Sequence, residues 1–515
     1  MLIVFVSVAI VAAACTSSGQ PQVAKSALSS TSLTCNVSYS GPDTGATSQH
    51  VSAGLPAGPI GHAGRWLTDA SGQVLLLHGA NAVAKTAPYY PCAFGFSDAD
   101  ASWLASNGID LVRLGVLPSG EMPTQGRIDT SYIEHLQSTV DTLAAHHIYT
   151  LLDWHQDDYG VYFQGDGMPN WMTITNGAPD KQAAFPFDYN TNPALQEAFQ
   201  AFWNDQSVPG GKGLQEYYTD MLKAVAAKFA KDPWVLGYEV MNEPWPGTSW
   251  VSCLAGNGCP ALEQSELEPF YGKAAAAIRS VDPKHMIFFE PFVLYNFGYA
   301  PTHLSLPEGV VNTGLAYHQY AVNPGSAEQV FQNSIQWSKG TGGALLNTEW
   351  SNSSTLTGPP GESSISVQEG YEDTSLMPFT YWVFDNCLIA CSTDQFGSMF
   401  YHPKLPPTGS NVNHNVVDSL VQPYPLAVSG TPSQLSYDPV TKKLSFGWDT
   451  TKPDGKGSFG TGSLTSFSIP LMDYPSGYSV QVTGGTSITK GSSDQLVVSQ
   501  SAGVSAVSVV VTPKS

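Results

Sequence analysis

The stretch VLGYEVMNEPWPG, residues 235–247, joins an apolar run to a proline-rich turn that contains an acid. The run VLGYEV is typical of a strand buried on both faces of a parallel sheet. Glu243 then lies between Asn242 and Pro244, and proline cannot extend the hydrogen-bond ladder of a central strand. Glu243 is therefore either an exposed residue or an acid held in place by a strand end, and the remaining sequence distinguishes the two.

Eight runs along the chain share this apolar, β-branched and aromatic character. They are VLLLHG (74–79), IDLVRLGV (109–116), IYTLLDWH (148–155), VLGYEVMNE (235–243), MIFFEPF (286–292), TGLAYHQY (313–320), ALLNTEW (344–350) and FTYWVFD (379–385). Amphipathic segments such as YIEHLQSTVDTLAAHH, residues 132–147, separate them. Strands that alternate with helices build a parallel sheet, and eight such units predict a closed (β/α)8 TIM barrel, an α/β fold.

Changes in amino-acid composition and patterning divide the chain into four parts. Residues 1–15 are an apolar leader, residues 16–60 predict a flexible tether because Ser, Thr, Gly and Ala dominate, and residues 61–403 contain the catalytic barrel. Residues 404–515 alternate polar and apolar residues between Gly and Pro turns. This last pattern predicts a small C-terminal antiparallel β-sandwich.

Polar side chains follow the predicted strands at the end where TIM-barrel enzymes carry their chemistry. They are Arg113, His155, Asn242, Glu243, His318, Tyr320, Glu349 and Trp382. One buried His or Arg alone usually serves packing, but this many polar residues at one rim indicate an active site. Glu243 and Glu349 end the fourth and seventh strands, which places them on opposite sides of the barrel mouth.

Two facing carboxyl groups are what the hydrolysis of a glycosidic bond requires. One protonates the leaving oxygen and the other attacks the anomeric carbon, and in retaining enzymes the two groups lie about 5–5.5 Å apart. We expect Glu243 to be the acid/base, with its pKa raised by the ionised partner, and Glu349 to be the nucleophile. General acid and nucleophile suffice for this reaction, so we expect no metal and no organic cofactor.

The sequence resembles the retaining glycosidases of clan A, family 5, and among them the endoglycoceramidases. The resemblance rests on DWHQDDYG (153–160), GDGMPNW (165–171), GYEVMNEPWPG (237–247) and EPFVLYNFG (290–298), and it extends to the trailing sandwich. It implies that Asn242, Arg113, His155, His318, Tyr320 and Trp382 shape the glycone subsite, and that Lys85 and Asp157 contact sugar hydroxyls. From the residues alone, a solvated Lys85 and a helix-capping Asp157 are equally good interpretations.

The resemblance implies hydrolysis of the bond between the glycan and the ceramide of a glycosphingolipid. There are three alternatives. The substrate could be galactosylceramide, glucosylceramide or a steryl glucoside, the enzyme could be a family 5 β-glucanase or β-mannanase, or the protein could be a non-catalytic surface sugar-binding protein. The long loop at 160–215 is rich in apolar side chains, which predicts either a groove for ceramide chains or the core of a lid. We expect a monomer with a glycolipid substrate, and contact with a membrane surface stays open.

Charge and cysteine content limit the partners and the compartment. The formal net charge of −21 disfavours nucleic acid as a partner. The apolar run at 1–15 predicts secretion, or anchoring to the outer face of a bacterial envelope as a lipoprotein if Cys15 is lipidated. An ordinary signal peptide is the alternative, because Ala12 stands where such signals favour Leu.

The remaining cysteines are even in number, which fits disulfides in an oxidising compartment. The candidates are Cys35, Cys92, Cys253, Cys259, Cys387 and Cys391. Cys253 with Cys259 and Cys387 with Cys391 could close small loops, which leaves Cys35 for Cys92. A zinc site is the alternative, but no His flanks these pairs at ligand spacing.

Overall fold

Eight parallel strands close on themselves, and two antiparallel sheets lie beneath them. The computed structural model describes residues 54–321, 323–352, 363–385 and 397–514. Three short strands precede the barrel: β1 (Gly61–Ala63), β2 (Trp66–Thr68) and β3 (Val74–Leu75). The barrel strands are β4 (His78–Ala82), β5 (Leu111–Val116), β6 (Tyr149–Trp154), β7 (Val235–Glu239), β8 (Met286–Phe289), β9 (Thr313–His318), β10 (Ala344–Trp350) and β11 (Phe379–Tyr381). The predicted TIM barrel is confirmed.

Helices surround the barrel strands and supply the outer layer. The described α-helices are Asp98–Ser106, Pro118–Glu121, Thr130–Ala145, Asp188–Thr191, Pro193–Trp203, Leu214–Phe229, Pro260–Leu262, Glu268–Arg279, Pro324–Thr341, Ser364–Ser375 and His414–Leu420. Helix Thr130–Ala145 begins where the Asp129 side chain accepts hydrogen bonds from two backbone amides of the first turn. None of the helices in the described ranges is both long and apolar enough to cross a membrane.

A β-sandwich follows the barrel, as predicted. Its strands are β12 (Tyr424–Val428), β13 (Thr431–Asp438), β14 (Lys443–Asp449), β15 (Leu464–Ser468), β16 (Tyr478–Thr483), β17 (Gly485–Ser487), β18 (Gln495–Gln500) and β19 (Ala506–Pro513). One sheet has the order β1-β2-β3-β12-β15-β18-β17 and the other β13-β14-β19-β16. Alternate residues such as Phe446, Trp448, Phe467 and Val509 fill the space between the sheets.

The first part of the chain differs from the predicted division. The run 74–79 is two strands, because Val74–Leu75 pairs with β12 whereas the barrel strand begins at His78. Residues 61–75 therefore belong to the sheet of the C-terminal sandwich rather than to the barrel. Residues 54–60 are not tether, since Leu55 and Ile60 are buried against the barrel. Residues 16–53 lie outside the described residues.

The sandwich closes the end of the barrel at which the strands begin. Tyr149, Met286 and other residues from the strand starts share an apolar cluster with Leu55, Leu75 and Leu426. The chemistry predicted at the strand ends is therefore at the opposite end of the barrel, and this floor serves stability.

Candidate active site

Glu243 and Glu349 meet at the mouth of the barrel. Glu349 is the penultimate residue of β10, and Glu243 lies four residues beyond the end of β7. One carboxylate oxygen of each, together with a ring nitrogen of His318, lies within 4.8 Å of the others. Retaining glycosidases hold their carboxyl groups about 5–5.5 Å apart and inverting enzymes about 6.5–9.5 Å. The separation matches the retaining arrangement.

The backbone at Glu243 adopts an unusual conformation. The φ angle of Glu243 is 42°, in the left-handed region that costs a residue with a side chain roughly 1–3 kcal/mol. The Gln156 amide donates to the carbonyl oxygens of both Asn242 and Glu243, at 2.9 and 3.1 Å. The Glu243 amide in turn donates to Glu290 Oε2 at 3.2 Å. These bonds stabilise the turn that directs the acid into the mouth.

The carboxylate of Glu243 has two donors from neighbouring strand ends. His318 Nδ1 lies 2.7 Å from Glu243 Oε1, and Asn296 Nδ2 donates to the same oxygen at 3.1 Å. The backbone amide of His318 donates to Asn296 Oδ1 at 3.1 Å, so the two donors also fix each other.

Glu349 is held by a different pair of donors. Arg113 Nη1 donates to Glu349 Oε2 at 3.0 Å, and the Tyr320 hydroxyl donates to Glu349 Oε1 at 2.8 Å. Both donors stabilise a carboxylate and fix the direction in which its oxygens point. This is the arrangement that a nucleophilic carboxylate requires.

Arg113 connects several buried residues of the active site. It is fully buried, and its Nε and Nη2 atoms donate to Glu239 at 3.0 and 2.8 Å. Its Nη2 atom also donates to Asn242 Oδ1 at 2.7 Å and lies 3.1 Å from Asp153 Oδ1. A guanidinium with a fork of donors is suited to this role, whereas a lysine would supply one point charge.

A second group of predicted residues lines one side of the mouth. The Lys85 ammonium contacts Asp157, lies 3.7 Å from Asp166 and sits 4.6 Å from the centre of the Trp382 ring. The His155 ring stacks on Trp382 with centroids 5.6 Å apart. The structure therefore brings all ten predicted catalytic and subsite residues to one mouth. Lys85 and Asp157 are paired with each other, so Lys85 is not a solvated lysine and Asp157 does not cap a helix.

Among the residues that the structure describes, three sets of side chains have spacing that suits a metal ion. They are His155 with Asp157 and Asp166, Glu239 with Glu290 and His318, and Glu243 with His318 and Glu349. In the first set the Lys85 ammonium already supplies a positive charge to both aspartates.

The motif GDGMPNW packs its backbone directly on the motif DWHQDDYG. Asp157 and Asp166 are paired as an isolated antiparallel bridge. A Cβ atom at Gly165 would lie 2.0 Å from the carbonyl oxygen of Asp157, so only glycine allows this approach. The two motifs thus hold Asp157 and Asp166 on either side of Lys85.

The electrostatics of the two glutamates differ from the prediction. Burial opposes ionisation of Glu243, but the hydrogen bond and charge of His318, with Asn296 and Arg113, hold its pKa below the ordinary value. Burial raises the pKa of Glu349, and the Glu243 carboxylate raises it further against His318 and Arg113. The prediction that the pKa of Glu243 is raised by an ionised Glu349 is therefore wrong for the free enzyme.

His318 is the main cause of the lowered pKa of Glu243. Burial alone would lower the pKa of His318, but Glu290, Glu349 and the hydrogen bond to Glu243 raise it well above its ordinary value. The resulting imidazolium donates to Glu243 and lies 3.9 Å from Glu349. The resting site consequently favours the ionised form of Glu243, and a proton must reach this group before it can act as an acid.

The sequence-based prediction missed six acidic or amide residues that hold the predicted ones. They are Asp153, Gln156, Asp166, Glu239, Glu290 and Asn296. Glu239 had a usable signal, because an acid inside the apolar run VLGYEV must be paired if the strand is buried. Glu290 and Asn296 stand in the motif EPFVLYNFG, which served only as a mark of resemblance.

One predicted disulfide lies wholly within the described residues. Cys253 and Cys259 are bonded, as predicted, and close the short loop after the 3₁₀ helix Gly247–Leu254. Cys15, Cys35, Cys387 and Cys391 lie outside the described residues, so lipidation of Cys15 and the other two pairings stay predictions. Cys92 is described, with its sulfur 3.1 Å from the Thr139 hydroxyl.

The long loop at 160–215 has a buried apolar core and exposed aromatic side chains, and a groove for ceramide chains stays a prediction. Phe163, Met168, Met172 and Tyr189 are buried, as expected of a lid core. Tyr162, Phe185 and Phe187 leave 45%, 49% and 46% of their surface exposed. The loop therefore presents an aromatic surface that rests on its own apolar core.

Family comparisons agree with this geometry. The family model described as cellulase (glycosyl hydrolase family 5) matches residues 69–386, and the model of the glycoside hydrolase family 5 C-terminal domain matches residues 422–511. The chain belongs to glycoside hydrolase family 5. The glycoside hydrolase reaction follows from this membership, and the domain after the barrel is also a recognised part of the family.

The relatives of this family 5 hydrolase include endoglycoceramidases. Endoglycoceramidase I of Rhodococcus hoagii (strain 103S) is 27% identical over 431 residues, which cover 82% of each chain. The endoglycoceramidase of Cyanea nozakii is 28% identical over 470 residues, 82% of this chain and 86% of that one. The lactosyl-enzyme intermediate of endo-glycoceramidase II from Rhodococcus sp. superposes with a TM-score of 0.71 at 26% identity, over 87% of this chain and 100% of that chain.

Proposed function

We propose that the chain is a retaining endo-β-glycosidase that hydrolyses the bond between the glycan and the ceramide of a glycosphingolipid. The observation that carries the proposal is the separation of Glu243 and Glu349, within 4.8 Å, in a chain similar over most of its length to endoglycoceramidases. This spacing is shorter than the about 6.5–9.5 Å at which an inverting enzyme holds its carboxyl groups to make room for water.

In the first step, Glu349 attacks the anomeric carbon while Glu243 donates its proton to the oxygen that leaves with ceramide. Arg113 and Tyr320 hold the attacking oxygens, and this bonding supports Glu349 as the nucleophile. A covalent glycosyl-enzyme results. In the second step, Glu243 takes a proton from water, and the oxygen of that water replaces Glu349 at the same carbon with net retention.

The glycone binds on the side of the mouth that carries Lys85, His155, Asp157 and Trp382. The indole of Trp382 offers a flat face to the sugar ring, and the Lys85–Asp157 pair offers a donor and acceptors to its hydroxyls. Asn242 lies beside the reacting carbon, where its amide binds a sugar hydroxyl.

The lipid part meets an apolar strip on the mouth loops. Exposed Phe185 packs edge-to-face against Tyr189, Tyr189 contacts Trp245, and Trp245 contacts Trp250. Val251 and Leu254 on the same 3₁₀ helix are 61% and 51% exposed. We expect the monomer to meet a membrane surface through apolar contact of this strip. Its net charge of −21 provides no electrostatic attraction to anionic lipid.

Secretion, by a plain signal peptide or as a lipoprotein anchored through Cys15, is part of the proposal. The Cys253–Cys259 disulfide supports an oxidising compartment. Fractionation of producing cells, with mass measurement of the mature amino terminus, tests both the compartment and the lipid.

A panel of substrates tests the reaction. The protein is incubated with a ganglioside, galactosylceramide, glucosylceramide, a steryl glucoside, β-glucan and β-mannan, and products are identified by mass. We expect intact oligosaccharide and free ceramide from the ganglioside, and no release by Glu349→Gln. Release of single sugars only, or of glucan or mannan fragments, would assign a different substrate, and binding without turnover would indicate a sugar-binding protein.

A further inference from the structure

The segment EPFVLYNFG, residues 290–298, follows β8 and contacts the turn that carries Glu243. Glu290 Oε2 accepts a hydrogen bond from the Glu243 amide at 3.2 Å, and Asn296 Nδ2 donates to the Glu243 carboxylate at 3.1 Å. The Val293 amide donates to the carbonyl oxygen of Pro244 at 3.1 Å. One loop thus contacts the backbone, the side chain and the next residue of the acid.

Asn296 joins the acid to the end of β9. Its Oδ1 accepts from the backbone amide of His318 at 3.1 Å, and its carbonyl oxygen accepts from the amide of Tyr320 at 3.1 Å. Asn296 is fully buried, so each of its bonds would leave an unpaired polar group if lost. A side chain with this many partners has a single orientation, and it aims its N–H group at Glu243.

Glu290 is fully buried beneath the same turn. Its backbone carbonyl accepts from the Tyr271 hydroxyl at 2.6 Å, and its Oε1 lies 3.4 Å from His318 Nε2 and 3.6 Å from Arg113 Nη2. Burial raises the pKa of Glu290 well above its ordinary value, against His318. The Glu290 carboxyl is therefore held between His318, Arg113 and the Glu243 amide, and it fixes the backbone of the turn from below.

The left-handed turn at Glu243 explains why such support is needed. At φ 42° the turn is intrinsically unfavourable, and it persists only if neighbouring groups fix it. A displacement of about 1 Å between a catalytic group and its target can cost about 10²-fold in rate.

We propose that Glu290 and Asn296 are positioning residues for the acid/base, Glu290 acting through the backbone amide of Glu243 and Asn296 through its carboxylate. The inference rests on the proposed role of Glu243. It assigns a task in the reaction to a motif that otherwise only marks the resemblance to endoglycoceramidases.

The two residues have separable effects. Asn296 favours the ionised form of Glu243, so its loss allows Glu243 to keep its proton to higher pH. Glu290 holds the position of Glu243, so its loss weakens proton donation to the leaving group. The charged and titratable groups that face Glu243 are otherwise unchanged: His318, Glu349, Arg113, Asp157, Tyr189 and Tyr320.

The test uses aryl β-lactosides whose leaving groups range from dinitrophenol to methylphenol, so it does not depend on ceramide as the natural substrate. In Asn296→Ala and the isosteric Asn296→Asp, we expect the basic limb of the kcat/KM profile to move to higher pH, further in Asn296→Asp. In Glu290→Ala, we expect kcat/KM to fall about 10²-fold for methylphenol and clearly less for dinitrophenol, which needs no proton. Glu290→Gln keeps an oxygen acceptor and should recover most of this loss.

Tyr295→Phe is the matched control in the same loop. The Tyr295 hydroxyl bonds to Ser334 at 2.6 Å, away from Glu243, so this variant should melt earlier but keep the pH profile and the leaving-group dependence. An unshifted basic limb in both Asn296 variants would overturn the role of Asn296. A loss in Glu290→Ala that is equal for all leaving groups, or not recovered in Glu290→Gln, would overturn the role of Glu290. Failure to release ceramide with these results intact would concern the substrate alone.

Discussion

At the scale of the residue, Glu349 and Glu243 differ in what surrounds them, and this predicts different chemical rescue. With Glu349→Ala, azide should attack the open face of the anomeric carbon and give an inverted glycosyl azide. With Glu243→Ala, azide should attack the glycosyl-enzyme and give a retained product. We expect Glu243→Ala to lose about 10²–10⁴-fold on substrates that need a proton. The anomeric configuration of the azide, measured by NMR, checks the assignment, and exchanged configurations would reverse the two roles.

His318 predicts the position of the basic limb of the pH profile. Because its hydrogen bond and charge lower the pKa of Glu243 against burial, the protonated acid is lost at lower pH than usual, and activity should be highest on the acid side. In His318→Asn the charge is absent, the pKa of Glu243 rises, and the basic limb of kcat/KM should move to higher pH. A limb that stays in place would show that another group controls it.

The predicted site residues were those whose types suit chemistry at a strand end. Glu243, Glu349 and Arg113 could be found because polar residues break apolar runs at a common edge. Asn296 could not, because it follows its strand by several residues and an Asn in a loop resembles any turn residue. Protonation could not be predicted either, since it depends on the distance of His318 from each glutamate.

At the scale of the element, helix Ser364–Ser375 predicts a loss of stability with rising pH. Its buried residues include Glu369, Glu372 and Asp373, and burial raises the pKa of the first two well above the ordinary value and that of Asp373 to about 7. The folded chain therefore holds these protons to higher pH than the unfolded chain, in which the groups ionise near pH 4. Folding is therefore favoured most below the unfolded pKa and weakens as pH rises through the folded values.

The free energy of unfolding, measured in urea from pH 5 to 8, checks this element. It should fall across the range in the wild type and fall less in Glu372→Gln, whose carbonyl oxygen still accepts from Asn347. Exposed Asp220→Asn is the control and should follow the wild type. A slope that is the same in all three proteins would contradict the assignment.

Element boundaries show where sequence patterns fail. The run 74–79 is mostly apolar because both of its halves are buried, but they are buried in different sheets. The strand predicted for 235–243 ends at Glu239, since the last residues turn inward to form the site. Apolar character reports burial, and it contains no information about which partner covers the strand.

At the scale of the whole molecule, Tyr424 predicts how strongly the sandwich supports the barrel. Its ring stacks on His78 with centroids 3.6 Å apart, and its hydroxyl donates to the carbonyl oxygen of Gly108 at 2.9 Å and to Asp110. Tyr424→Ala should lower the free energy of unfolding by about 3–5 kcal/mol. Tyr424→Phe keeps the stacking and should lose less.

Activity separates this contact from the site. Because Tyr424 lies at the floor, kcat/KM of Tyr424→Ala measured well below its melting temperature should stay within about twofold of the wild type. Unfolding in urea and initial rates on one sample provide both values. A large loss of activity in folded protein would mean that the floor and the mouth are coupled.

The floor of the barrel, which is the end that the sandwich closes, lies opposite to the mouth. Gly58 bonds to the carbonyl oxygen of Pro233, and Pro56 accepts from the hydroxyl of Tyr149, whose strand starts there. Pro56 and Gly58 therefore lie at the pole opposite to the two glutamates. A bead or surface coupled to the protein through a residue of this pole would leave the mouth pointing outward, free to work on whatever vesicle or cell approaches it.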